Sequence, residues 1–242
     1  MSADGRYIAF ASWADNLVSS DTNASIDIFL RDRKTGQTIR VSKANSGAQS
    51  NNDSSTPRIS ANGRYVYFLS RSTTLGADGA NWSVFRYDRE ASSLTRLPMA
   101  PGASDASDLA VSGDGTRVAF TALVAGLTTV FWWDAATNQT HRASENAAGV
   151  AADGVSFDAA ISGDGKLVAF TSGASNLLTP ADAGSYRDVF VKNTATGAVD
   201  RISITSAGGE SNLHSSTPAL SSDGCRAAFF TDATNLVAGQ NP

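Results

Sequence analysis

Short alternating runs of apolar and polar residues, each opened by a tight polar turn, recur along the whole chain. Tyr7-Ile8-Ala9-Phe10 follows Ser2-Ala3-Asp4-Gly5, and the same nine-residue unit returns beginning at Ser60, Ser112, Ser162 and Ser221, each time ending on Phe68, Phe120, Phe170 or Phe229. Asp-Gly and Asn-Gly accept the positive φ of a hairpin turn, and alternation of period two marks a half-buried strand. Each copy predicts a turn feeding a strand.

A second apolar run follows in each unit: DIFLRD from Asp27, SVFRYD from Ser83, TVFWWD from Thr129 and DVFVKN from Asp188. Phe29, Phe85, Phe131 and Phe190 are each followed three residues later by Asp32, Asp88, Asp134 or Asn193, and eleven residues later by Arg40, Arg96, Arg142 or Arg201. Polar turn residues lie between, so the Arg belongs to a third strand closing a second hairpin. A fourth, short strand precedes each Ser-x-Asp-Gly turn, at Pro57, Asp108, Asp158 and Pro218. The glycines Gly5, Gly63, Gly115, Gly165 and Gly224 recur every 50 to 59 residues. Four strands at that period predict an all-β fold, a β-propeller of four-stranded antiparallel blades, because an isolated blade of that size cannot bury both faces without neighbours. The units fall at about 1–53, 54–104, 105–154, 155–214 and a partial 215–242, within one domain spanning 1–242. Counted strands run three, four, four, four and two. That count favours a portion of a larger propeller over a self-closed ring. Closure from both termini would put Pro218–Ser221 beside blade one and leave Cys225–Thr231 as a surplus copy. Open blade edges at Tyr7 or Thr231 would then offer self-association.

Composition narrows the partner. Charged residues are 17% of the chain and the formal net charge is -4, so no basic field draws in nucleic acid. Glu occurs only at Glu90, Glu145 and Glu210, while Ser, Thr, Asn and Gly abound, a mixture that disfavours helices. No apolar run approaches the roughly 20 residues that span a bilayer, and no membrane insertion is expected. Cys225 is alone and sits where other units carry Arg6, Arg64, Thr116 or Lys166, a solvent-facing position.

Three elements together resemble the TolB-type β-propeller repeats of bacterial periplasmic and secreted proteins: Ser-x-Asp-Gly-x-x-x-Ala-Phe, the Asp/Thr-Ile/Val-Phe-x-x-Asp strand, and the Arg-Val/Ile-Ser strand. The resemblance covers nearly the whole chain. It implies a propeller in the periplasm or outside the cell, and it is far more specific for fold than for function. The sialidase Asp-box is set aside because Gly directly follows Asp or Asn in all five copies.

In an up-and-down blade the Asp-Gly and Thr-Gly turns share one face. The long segments from Ser12, Ser70 and Ser172, with those from Gly47 and Gly208, share the other. Variable loops on a rigid scaffold carry recognition. Trp13, Trp82, Tyr186 and His214 are the loop residues best suited to anchor a protein or glycan. Trp132 and Trp133 are expected to pack between blades, and His141 to lie at a blade edge on the surface.

Candidate chemistry is thin. Asp21, Asn23 and Asp27 are spaced like part of a calcium loop, and Asp182 and Asp188 repeat the spacing in blade four, but the Gly and terminal Glu of an EF-hand are missing and Asx-turn capping explains the same residues. Two separated histidines, with no G-x-S-x-G or H-E-x-x-H, supply neither a serine hydrolase nor a zinc site. Asp108 and Asp158 could face a central channel as a carboxylate pair. Asp32 with Arg40, and Asp188 with Arg201, are expected to pair within blades. The expectation is a non-enzymatic binding scaffold with no cofactor and no metal, taking its partner on the long-loop face. Alternatives are an accessory propeller of a larger hydrolase or peptidase, and a carbohydrate-active propeller enzyme.

Overall fold

The computed structural model describes residues 1–179 and 184–237. Its strands form five antiparallel sheets in chain order. Blade one holds β1 (Tyr7–Ser12), β2 (Asp27–Asp32) and β3 (Gln37–Arg40). Blade two holds β4 (Ser54–Ile59), β5 (Tyr65–Ser70), β6 (Ser83–Asp88) and β7 (Ser93–Arg96). Blade three holds β8 (Ala103–Val111), β9 (Arg117–Val124), β10 (Leu127–Asp134) and β11 (Gln139–Arg142). Blade four holds β12 (Ser156–Ile161), β13 (Leu167–Ser172), β14 (Asp188–Asn193) and β15 (Val199–Arg201). Blade five holds β16 (Ser215–Leu220) and β17 (Ala227–Thr231), paired with each other and, among the described residues, with no strand of blade one. The only helical turn among the described residues is Thr73–Leu75. The architecture is a partial β-propeller, as the periodicity predicts.

The repeated nine residues fold into one hydrogen-bonded knot. In all five copies the Ser Oγ donates to the Asp or Asn Oδ1 two residues on, at 2.6 to 2.8 Å. The same Oγ accepts the backbone N–H five residues on at 2.9 to 3.0 Å, that of the strand's first residue in blades one to four and of Arg226, just before β17, in blade five. The Ser therefore closes the turn and starts the strand.

That knot also couples blades. Ala3 N–H donates to the Ala61 carbonyl at 2.8 Å, Ala61 N–H to Gly113 at 2.8 Å, and Gly113 N–H to Gly163 at 2.7 Å, while Asp164 N–H reaches Ser222 at 2.9 Å. At this end at least one backbone hydrogen bond thus runs from each blade to the next. The turn glycine serves the same contact: a Cβ on Gly63 would lie 2.6 Å from the Tyr7 ring, and one on Gly115 2.6 Å from the Tyr65 ring.

The core sits between blades. Phe68 stacks on Phe85 at 5.6 Å, Phe120 on Phe131 at 5.9 Å and Phe170 on Phe190 at 5.9 Å, all six buried, and each such side chain contributes about 1.5–3 kcal/mol by burial. Trp132 and Trp133, adjacent in β10, point to opposite faces. Trp133 joins Tyr67 and Leu69 of blade two, and Trp132 joins Val168 and Phe170 of blade four.

Three expectations are corrected. The innermost strands begin earlier than predicted, at Ser54, Ala103, Ser156 and Ser215, because each is interrupted by a bulge that hides its alternation. Asp32 pairs with Arg6 at 2.7 Å rather than with Arg40, and Asp88–Arg64 at 2.8 Å and Asp134–Arg117 at 2.9 Å repeat that arrangement. His141 is half-buried, its ring stacked on Trp132 at 4.5 Å. Asp188 does pair with Arg201, at 3.2 Å.

Candidate binding face and central cleft

Strand direction sorts the connections. The tight turns 60–64, 112–116 and 162–166, with 33–36 and 89–92, lie at one end of the blades. The segments 13–26 and 71–82, and the links 41–53, 97–102, 143–155 and 202–214, lie at the other, together with the described parts of 173–187 and 232–237. Blade three has only Ala125 and Gly126 between β9 and β10, so it adds no long loop there.

The first long loop is held from below by a buried arginine. Arg40 Nη1 donates to Asp21 Oδ1 at 2.8 Å, to Asp27 Oδ2 at 3.1 Å and to Gln49 Oε1 at 3.1 Å. Asn23 Nδ2 and Ser42 Oγ also donate to the Asp27 carboxylate. Both carboxylates turn toward the guanidinium, which supplies the positive charge that spacing alone had suggested for a cation. Blade four repeats the device: Asp188 accepts from Ser203, Ser211 and Arg201, and Arg201 also meets Glu210 at 3.0 Å. Asp182 lies outside the described residues.

On this scaffold the four predicted anchors take different roles. Trp13 stands free at 68% exposed. Tyr186, 38% exposed, meets the exposed His214 edge-on at 5.3 Å, and His214 Nδ1 accepts the Arg187 N–H at 2.9 Å, which fixes the ring and its tautomer. Trp82 is half-buried: it packs against the core between blades two and three, with the Arg71 guanidinium 4.7 Å over its ring. The structure brings Tyr186 and His214 together, and it does not join either to Trp13 or Trp82.

A second polar site lies where the innermost strands converge. Arg58, Asp108, Leu109, Asp158, Ala159, Thr217 and Pro218 line a cleft of about 160 Å³. Thr56, Asp108, Asp158 and Thr217 each hold a left-handed backbone, with φ of 52°, 47°, 55° and 53°. Each stands four residues before its turn serine, in a bulge opposite the signature phenylalanine in blades two, four and five and next to the Leu109–Phe120 pair in blade three. A left-handed conformation is unusual for any residue but glycine and most unusual for β-branched threonine. Pro57 and Pro218 fit beside it because a bulge leaves a residue out of the hydrogen-bonded ladder. Sequence reasoning missed this bulge, although the fixed offset from the serine and the two Thr-Pro pairs carried a signal.

The two cleft carboxylates differ. Asp158 Oδ2 accepts the Thr217 N–H at 3.1 Å and the hydroxyls of Thr217 and Thr171 at 3.2 and 3.3 Å, which binds blade four to blade five. Asp108 is raised above the usual carboxylate range, first by loss of solvent and then by the Asp158 charge, with Arg58 opposing. The histidines stand elsewhere, on β11 and in the link before β16. The cleft can therefore hydrogen-bond an extended polar ligand, and its carboxylates are the sole acid–base groups lining it.

No family model and no curated relative matches the chain. Solved structures do match in shape. TolB from Acinetobacter baumannii is 17% identical, with a TM-score of 0.53 over 94% of this chain and 47% of its own length. A TolB candidate from Agrobacterium tumefaciens is 14% identical, with a TM-score of 0.52 over 98% of this chain and 67% of its own. The tricorn protease is 15% identical, with a TM-score of 0.55 over 93% of this chain and 20% of its own. The chain thus spans about half of the first and a fifth of the third. At these identities the likeness establishes the propeller fold.

Proposed function

We propose that this chain is a non-enzymatic binding scaffold of TolB-type propeller repeats that receives a protein or glycan on its long-loop face, in the periplasm or outside the cell. The reading rests on one contrast. The tight-turn end spends its polar groups on itself, in five identical knots, whereas the long-loop end exposes Trp13 and the Tyr186–His214 pair on loops tied down by Arg40 and Arg201. Fixed aromatic anchors on a rigid frame keep the ordering cost of binding low. The repeat signature and the TolB likenesses support the compartment.

The test is capture from periplasmic extract and on a glycan array, comparing the chain with Trp13→Ala/Tyr186→Ala. Aromatic anchors of a binding surface are worth about 2 kcal/mol or more, roughly a thirtyfold loss of affinity. Lys34→Glu/Lys166→Glu at the tight-turn end should leave binding intact. Equal binding by the aromatic double variant refutes the reading.

A second reading is favoured by the tricorn likeness, in which the matched region is a fifth of a protease. On that reading the propeller accompanies a catalytic domain encoded elsewhere in the same gene, and the length of the parent coding sequence decides it. The scaffold reading also expects no fragments from uronate-containing or neutral polysaccharides. Turnover lost on changing Asp108 and Asp158 to Asn would make the cleft catalytic.

A further inference from the structure

Blades one, three and four share an arginine and a serine at one place, and of these blade three alone lacks the carboxylate that joins them. Arg40, Arg142 and Arg201 each lie opposite a phenylalanine of the neighbouring strand, Phe29, Phe131 or Phe190. Two residues on, Ser42, Ser144 and Ser203 are fully buried, and each Oγ accepts the N–H of Ile28, Val130 or Val189 at 3.0 Å. The bridges Lys43–Gln49, Glu145–Ala151 and Ile204–Glu210 carry the same backbone path beyond them.

In blade one the Asp27 carboxylate takes the Ser42 hydroxyl on one oxygen and Arg40 Nη1 on the other, and Asp188 does the same with Ser203 and Arg201 in blade four. Gln49 and Glu210 give the arginine a further acceptor. Blade three has Thr129 in the Asp position and Ala151 in the Gln or Glu position. Thr129 Oγ1 donates to the Leu127 carbonyl of its own strand at 3.3 Å. The half-buried Arg142 guanidinium, 6.0 Å over the Phe131 ring, and the Ser144 hydroxyl proton have no acceptor among the described residues. Glu145 is engaged by Lys192 of blade four at 3.3 Å.

Elsewhere this arginine holds a long loop. Arg40 binds Asp21 Oδ1 at 2.8 Å and the adjoining Ser20 carbonyl at 3.5 Å, and Arg96 of blade two binds the Gly76 carbonyl at 2.8 Å. Blade three, flanked by blades two and four, joins the corresponding strands through Ala125 and Gly126 alone, so it keeps the arginine without the loop.

We propose that the long-loop end of blade three binds an aspartate or glutamate on a polypeptide segment of a partner protein, its carboxylate bridging Arg142 and Ser144 as Asp27 bridges Arg40 and Ser42. A polypeptide is the occupant because Arg40 takes a peptide carbonyl beside the carboxylate and Arg96 takes one by itself. The inference rests on the long-loop face as the recognition face and gives that face a ligand chemistry.

The probe is the capped peptide acetyl-Ser-Asp-Thr-amide, which copies Ser20 to Thr22 of the first loop. The readout is the Arg142 Nε–H resonance, assigned from its absence in Arg142→Gln. Titration should shift that resonance saturably at millimolar peptide. The acetyl-Ser-Asn-Thr-amide peptide should bind at least about tenfold more weakly, because hydrogen bonds to a charged acceptor are lost. Thr129→Asp supplies the carboxylate from within, as in blades one and four, and should raise the melting midpoint and abolish the shift. No saturable shift, equal binding of the Asn peptide, or undiminished binding to Thr129→Asp overturns the proposal. So does D-glucuronate binding more tightly than the Asp peptide, which would assign the site to a glycan. The readout is local to Arg142, so its failure leaves the capture comparison with Trp13→Ala/Tyr186→Ala standing and the two readings fall separately.

Discussion

Replacing Gly115 by Ala tests whether the repeated turn exists for its own geometry or for the neighbouring blade. Gly115 has φ of +71°, and an added Cβ would lie 2.6 Å from the Tyr65 ring and 2.8 Å from Ser60 Cβ. The left-handed conformation costs an L-residue about 1–2 kcal/mol, and forcing a methyl into a packed contact adds about 1–3 kcal/mol. The sum is about 2–5 kcal/mol, which for a chain of this size lowers the melting temperature by about 4–20 °C. Gly197 provides the comparison. Its φ is +75°, yet nothing lies within 4 Å of an added Cβ. Gly197→Ala should therefore lose only the first contribution, about 1–2 kcal/mol.

Urea unfolding followed by tryptophan fluorescence measures both, with the slope m checking that the same cooperative unit unfolds. In a nearly one-dimensional array a weakened interface can also uncouple its two sides. Gly115→Ala should then broaden the transition or lower m, while Gly197→Ala leaves m alone. Equal losses and unchanged slopes for the two variants would refute the idea that the glycine is required by the adjoining blade.

Other substitutions separate the polar devices. Arg40→Met removes the charge facing Asp21 and Asp27, whose side chains are 6% and 0% exposed, and should cost about 3–5 kcal/mol in urea unfolding; Arg6→Met, at a partly exposed pair screened by solvent, should cost far less. Because Arg40 supplies that site's cation, chelator should leave the melting midpoint unchanged, and a drop on adding it would restore the calcium reading. Asp4, Asp164 and Asp223 are held below the usual carboxylate range first by the hydroxyls of Ser2, Ser162 and Ser221, Asp164 at about 2. Depressed carboxylates stabilise above their unfolded pKa and lose that contribution as pH falls through the folded one, so the midpoint should hold from pH 7 to about 4 and decline toward about 2. Asp108 has the opposite sign: its raised pKa marks a charge the fold disfavours at neutral pH, and Asn also tolerates the left-handed backbone. Asp108→Asn should be neutral or stabilising by up to about 0.5 kcal/mol, and a clear loss of stability would refute that account of the cleft.

What could be read from sequence, and what could not, follows from how each feature is encoded. The turn knot is local: Ser, Asp and Gly act within six residues of one another, so five copies announce themselves and fix the blade period. The buried phenylalanine pairs are nearly as legible, because both partners sit at constant offsets from those turns. Arg40 is different. Eleven residues after Phe29 it could meet Asp32 across the hairpin or Asp21 and Asp27 beneath the loop, and only the register Phe29 opposite Arg40 turns it toward the loop end. The register leaves Asp32, opposite Tyr7 on the neighbouring strand, to the preceding Arg6. The inner bulges were hidden for a related reason. Alternation is the signal for a strand, and a bulge breaks alternation at the very residues, Thr56, Asp108, Asp158 and Thr217, that line the innermost strands. The identical turns gave the frame away because every blade needs the same neighbour. The long loops sit where blades are free to differ, and a single sequence holds no repetition there from which to read a site.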